Sequence, residues 1–269
     1  MTIKIYSESD FEKMSIVGKM ASSILDYIEE FIKPGISTLE INDLCHNKTI
    51  EMGAIPAPLN YKGFPKSICT SINHVVCHGI PKKEDILKDG DIIGVDVTLI
   101  YDGFYGDTCR TFCVGDSFKK NPKLIKAKKL VQTTYEAMMK GINQVKPGNR
   151  ILDIAMAIES HAKANGFSVV RDYCGHGIGT VFHDAPTVLH YVPEKDRELY
   201  NIELKKGMCF TIEPMINTGH WSVVLSRFDD WTVTTRDKSI SCQFEHTIGV
   251  TDDGYKIFTQ SDNWSFSLE

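Results

Sequence analysis

Two helix stops, Lys33-Pro34-Gly35 and Lys146-Pro147-Gly148, stand 113 residues apart, and Gly53 and Gly166 repeat that spacing. Pro-Gly after an apolar helical stretch is a common terminator by itself. Here the surroundings recur as well. Before the first stop, Ser9 and Glu12 form an S-x-x-E capping pair, and Met14, Val17, Ala21, Ile24, Ile28 and Phe31 follow at helical spacing. After it, a second helix is expected from Thr38 to Gly53. Before the second stop, Asn121-Pro122 opens a helix through Met138 and Ile142; after it, another runs from Ile151 to Asn165.

The recurrence extends into the strands. Gly90 lies six residues before Asp96 in GDIIGVD, and Gly207 six residues before Glu213 in GMCFTIE. Ile93 and Val95 in one, Phe210 and Ile212 in the other, alternate with the carboxylate. A further strand with a second carboxylate follows each time, at Asp107-Thr108 and at Glu245-His246-Thr247. A duplicated helix–helix–sheet unit is expected, hence an α+β fold. Two similar halves, 9–118 and 121–259, place their sheets side by side with helices on one face. No Ser/Gly-rich linker or charge block divides them, so 1–269 is expected to be a single domain.

The stretch VDVTLIYDGFYGDTCRTF (95–112) sets a chemical constraint on this fold. With Asp102-Gly103 as a two-residue turn, residue 107 pairs with 98 and is a diagonal neighbour of 96, roughly 7–8 Å away at Cα. Gly94, Asp96, Thr98 and Asp107 share one face, and Ile93, Val95, Val97 and Leu99 form the core side. Two carboxylates converging on a partly buried face share a proton or hold a cation.

The second half contributes Glu213 at a strand end before Pro214, and Glu245 with Gln243 and Thr247 on its face. Ahead of both in the chain, His176 is flanked by Gly175 and Gly177, which permit close backbone approach and unusual dihedrals. Taken singly, a strand aspartate more often caps a turn, and Gly-His-Gly is more often a loop. Together, four carboxylates and one imidazole suit a pair of divalent ions such as Mn, Fe(II), Co or Zn.

Composition narrows the setting. A net charge of −5 gives no reason to expect nucleic acid or an anionic membrane as partner. No stretch approaches the roughly 20 apolar residues of a membrane span, and MTIKIYSESDFEKM lacks the apolar run of a signal peptide. The eight cysteines contain no Cys-x-x-Cys pair and are expected to be buried, reduced thiols.

Six segments in order, NHVVCHGIP (73–81), DGDIIGVDVT (89–98), DGFYGDTCRTF (102–112), YCGHGIGTVFHDAP (173–186), FTIEPM (210–215) and QFEHTIGVT (243–251), resemble type I methionine aminopeptidases of the bacterial kind. The likeness runs from about residue 3 to 259. It implies the pita-bread fold, two pseudo-symmetric halves with a central antiparallel sheet covered by helices, in a single catalytic domain. It implies removal of the initiator methionine from nascent proteins with a small second residue, through a water or hydroxide bridging two divalent ions. Asp96 would chelate one ion, Asp107 and Glu245 would bridge both, and His176 and Glu213 would complete the second. Glu213 would shuttle the proton, and His78 and His183 would contact substrate or the oxyanion. Tyr61, Phe64, Cys69, Phe182 and Trp231 would line the methionine pocket, where rings and a small thiol suit a thioether. Pro58 stands where many bacterial relatives carry cysteine, and the loop 218–231 is less typical.

The implied setting is the cytoplasm near the ribosome, as a monomer, with N-terminal Met peptides as partners and no membrane or specific nucleic-acid binding. A proline-specific aminopeptidase or prolidase shares the fold and ligands, but usually carries an N-terminal domain for which the chain is expected to leave no room. The chain is also expected to lack the Cys/His extension of eukaryotic type I enzymes and the type II insertion. A non-catalytic binding module of the same fold would lack ligands, and all are present.

Overall fold

In the computed structural model, which describes residues 2–121 and 124–268, the left-handed turn after the first helix recurs in the second half. Gly35 (φ 100°) and Gly148 (φ 88°) both take a conformation that glycine alone adopts without strain. Gly35 then donates its N–H to Leu87 O at 2.9 Å, and Gly148 to Leu204 O at 3.1 Å. The helices Thr38–Glu51 and Ile151–Ala164 follow at once. Further on, Gly90 donates to Val114 O and Gly207 to Val250 O, each at 2.9 Å. Equivalent donors reach equivalent acceptors, so the chain builds one unit twice.

The first helix spans Glu8–Glu29. Its cap differs from the expected Ser9/Glu12 pair. Ser7 Oγ accepts from Asp10 N at 3.3 Å, and Asp10 Oδ2 accepts from Ser7 N at 2.9 Å. Two S-x-x-acid pairs overlap here, and the earlier one prevails because Tyr6 is pinned, its N–H donating to Gly207 O. The buried stripe is Met14, Val17, Ala21, Ile24 and Ile28. Phe31 lies past the helix end and is half-buried, with its N–H turned back to Ile28 O.

The expected start of the third long helix at Asn121-Pro122 also changes. Pro122 lies outside the described residues. Asn121 ends a short helix, Ser117–Lys120, by donating its N–H to Ser117 O, and the long helix begins at Ile125 and runs to Ile142.

The hairpin forms in the expected register. Strands Ile92–Tyr101 and Phe104–Cys113 pair Thr98 with Asp107 and Asp96 with Cys109. Asp102 (φ 46°) and Gly103 (φ 76°) make the turn, both positive as a type I′ hairpin requires. The first helix covers the face carrying Ile93, Val95, Val97 and Leu99. In the second half, Cys209–Ile212 lies between His246–Val250 and Gly175–Gly177. Phe210, Ile212, Ile248 and Val250 pack with the helices Ile125–Ile142 and Ile151–Ala164.

Threonines stitch the two sheets together. Glu245 N–H donates to Cys109 O at 2.9 Å. Thr108 Oγ1 donates to Glu245 O at 2.8 Å, Thr111 Oγ1 to Gln243 O at 2.6 Å, and Thr247 Oγ1 to Asp107 O at 2.7 Å. Helices lie on the apolar faces, and the carboxylates come together across this seam on the other side.

All eight cysteines are free thiols, and six are buried. No helix among the described residues is long and apolar enough to cross a membrane. The last residues grip both halves. Ser261 Oγ donates to Asp26, which also pairs with Arg110 at 2.7 Å; Trp264 stacks on the Arg110 guanidinium at 4.0 Å; Phe266 stacks on Tyr135 at 4.2 Å.

Candidate metal centre and its pocket

The inner face of the hairpin carries Asp96, Thr98 and Asp107, as its register dictates. Thr98 Oγ1 donates to Asp107 Oδ1 at 2.7 Å and fixes that carboxylate. From the second half, His176 Nε2 lies 3.7 Å from Asp107 Oδ2 and 3.7 Å from Glu213 Oε1. These separations exceed a hydrogen bond and suit donor atoms that face one cation. Donor atoms of Asp107, His176 and Glu245 all lie within 4.8 Å of one another.

His176 sits in the short strand Gly175–Gly177 rather than in a loop. The flanking glycines serve close approach, not unusual dihedrals: a Cβ at Gly175 would strike Thr211 O, and one at Gly177 would strike Ala185 O. Nδ1 is 3.1 Å from Gly177 O, which places the proton there and leaves the Nε2 lone pair facing the carboxylates. Glu213 follows the strand Cys209–Ile212. Its Oε1 accepts from Thr211 Oγ1 at 2.8 Å, its Oε2 from Gln243 Nε2 at 3.3 Å, and its N–H donates to His190 Nε2 at 3.1 Å. Glu245 occupies the break between Ser241–Gln243 and His246–Val250, not a strand as expected, because the chain there changes pairing partner.

Burial pushes the Asp107 carboxyl up to about 7, against the Thr98 hydrogen bond. Asp96, Glu213 and Glu245 are likewise pushed well above the usual carboxylate range, first by burial and then by the Asp107 charge. Burial pushes His176 down to about 4, so it is a neutral imidazole. Asp96 Oδ1 is buried and receives no hydrogen bond among the described residues. A divalent ion fits this donor set: oxygen-rich, with one imidazole, an unsatisfied buried oxygen, and excess negative charge.

The cluster forms one wall of a cavity of about 400 Å³ that also receives Tyr61, Phe64, Cys69, His78, Phe182, His183 and Trp231, so every candidate site residue meets in one place. Phe64 and Trp231 meet edge to face at 5.2 Å, and Tyr61 packs on Phe182 at 4.8 Å. Tyr61 Oη is 3.0 Å from His183 Nδ1, and the His183 ring is 4.1 Å from that of His176. His78 has a left-handed backbone, φ 54°, and faces the rings of Tyr173 and Trp231. Such strain in a non-glycine residue often marks a working site.

Pro58 stands at the cavity with Lys62, Cys77, Tyr173 and Met215, and these last four were not foreseen. Nor were the carboxylate partners Thr211 and His190. The strand alternation carried a signal for Thr211, two residues before Glu213 on the same side.

Comparison with known proteins agrees with this geometry. The pattern of Metallopeptidase family M24 matches residues 12–252. The chain belongs to metallopeptidase family M24. A methionine aminopeptidase of Rickettsia prowazekii (strain Madrid E) is 59% identical over 261 residues, covering 97% of this chain and 96% of that one. The crystal structure of methionine aminopeptidase from Rickettsia prowazekii matches with a TM-score of 0.90 at 57% identity, over 96% of this chain and 100% of that one. An Xaa-Pro dipeptidase from Bacillus anthracis shares the fold at 21% identity, with a TM-score of 0.73 over 96% of this chain and 62% of that one. The M24 fold is the expected pita-bread fold, and the buried acidic cluster is where this M24 chain can seat a divalent metal.

Proposed function

We propose that this M24 metallopeptidase removes the N-terminal methionine of nascent proteins whose second residue is small. The observation that carries it is the joining of the acidic cluster to an aromatic pocket in one cavity, in a chain 59% identical to a methionine aminopeptidase. Asp96, Asp107, His176, Glu213 and Glu245 would hold two divalent ions. Such ions, when bound, supply Lewis acidity and a water that is acidic near neutral pH.

The protein's own groups do the rest. Glu213, held by Thr211 and Gln243, takes the proton of the attacking water and returns it to the departing amide nitrogen. With the Tyr61 hydroxyl donating to Nδ1 of His183, Nε2 bears the proton and donates to the substrate carbonyl as it gains negative charge. His78, pushed down to about 4 by burial, also acts as a neutral donor. Tyr61, Phe64, Phe182 and Trp231 grip the methionine side chain. Cys69, its thiol kept neutral by burial, leaves room for the thioether. His183→Ala is expected to lower kcat by about 10²–10³-fold and leave KM little changed, as steady-state cleavage of Met-Ala-Ser would measure.

On this reading the enzyme works in the cytoplasm on emerging chains, as a monomer. The test is methionine release by metal-stripped protein with Mn, Fe(II), Co or Zn restored. Metal-dependent cleavage of Met-Ala-Ser, with Met-Leu and Ala-Pro peptides spared, is the expected result. Cleavage of Ala-Pro instead assigns a proline-specific enzyme, and no cleavage by folded protein with any metal overturns the reading.

A further inference from the structure

His190 is 1% exposed and takes no part in the chemistry above. Its position follows from how the sheet runs out. The ladder between Gly175–Gly177 and Cys209–Ile212 has a single pair, Gly177 with Phe210, and on the other side His246 pairs with Ile212. Glu213, one residue further, has no strand acceptor for its N–H. His190 Nε2 accepts it at 3.1 Å. His190 lies two residues beyond the strand Asp184–Val188, which pairs with the strand carrying His176.

An imidazole accepting at Nε2 bears its proton on Nδ1. Nδ1 of His190 is buried and makes no hydrogen bond among the described residues. A buried donor without an acceptor is costly, so plain packing would favour an apolar side chain here. The chain instead keeps an imidazole whose one hydrogen bond goes to the main chain of a candidate metal ligand.

We propose that His190 is a positioning residue: its Nε2 ties the main chain of Glu213 to the hairpin that carries His176 and so sets the spacing of these two ligands. The Thr211 hydroxyl makes the companion link, accepting from His176 N and donating to Glu213 Oε1. One contact orients the carboxylate and the other anchors the backbone beneath it. This role rests on the reading of Glu213 and His176 as metal ligands, but not on the identity of the peptide substrate.

The test compares His190→Leu, which removes the acceptor, with His190→Gln, which returns one at nearly the same reach. Co(II) affinity is followed by its absorption bands, folding by circular dichroism, and kcat and KM on Met-Ala-Ser separately. His190→Leu is expected to bind Co(II) about 10–100-fold more weakly and to lose kcat with KM unchanged, while His190→Gln regains most of the affinity. Wild-type affinity in His190→Leu, or equal loss in both folded variants, overturns the proposal. In the wild-type protein, the ¹⁵N imidazole spectrum is expected to show an unprotonated Nε2 for His190; a protonated Nε2 overturns the proposal whether or not the leucine variant folds. Affinity and spectrum are read without peptide cleavage, so their failure is separable from that of the proposed activity.

Discussion

Asp107→Asn is expected to abolish methionine release, by at least about 10³-fold in kcat/KM or about 4 kcal/mol of transition-state stabilisation, and adding metal will not restore it. Asp107 is the centre of the site's electrostatics. Its charge raises Asp96, Glu213 and Glu245, and its Oδ2 faces His176. An amide keeps the shape and the Thr98 contact but loses the charge that recruits a cation. The same substitution is expected to leave metal-free protein as stable as wild type or more so, because it removes a buried charge that no partner offsets. Peptide cleavage and thermal melting in chelator check the two signs together. A variant that melts lower in chelator would show that the carboxylates do not strain the empty fold.

Metal-free protein is expected to lose stability as pH rises through about 7, and metal-loaded protein is not. The sign follows from where the protons sit. Asp107 is raised from 3.8 to about 7, and Asp96, Glu213 and Glu245 are also raised well above the ordinary carboxyl range. Above the unfolded carboxyl range the unfolded chain has released these protons and the fold still holds them, so stability falls as pH climbs through the folded values. For Asp107 alone the loss, on the order of 4 kcal/mol, is spread between about pH 4 and about pH 7. His78 and His176, pushed down to about 4, and His190, pushed down to about 3, act oppositely. Their stability is present above the unfolded histidine value, near 6.5, and is lost on acidification. The window above about 6.5 therefore reports the carboxylates. A divalent ion binds the deprotonated set, so its affinity and its stabilisation grow with pH. Melting temperatures with and without metal should diverge across the window; parallel curves would refute the argument.

The hairpin was legible because period-two alternation and an Asp-Gly turn fix register together, and register alone brings Asp96 beside Asp107. The duplicated Pro-Gly stops were legible because a left-handed glycine has few substitutes. The choice between Ser7 and Ser9 as first cap was not, since it depends on Tyr6 bonding to Gly207, far along the chain. The break at Glu245 was hidden for a similar reason: where a strand changes partners is a property of the whole sheet. The positions of His190 and of the tail aromatics Trp264 and Phe266 depend on contacts between distant segments, and no local pattern announces them.

The seam stitched by Thr108, Thr111 and Thr247 makes activity an all-or-none property of assembly. Asp96 and Asp107 come from one half; His176, Glu213 and Glu245 come from the other. A half formed alone would expose the carboxylates without gathering them, and so would hold no catalytic ion. Synthesis stalled before the last strands is expected to leave an inert chain. The fold thereby acts as its own checkpoint: the carboxylates and the imidazole gather only when both halves are in place.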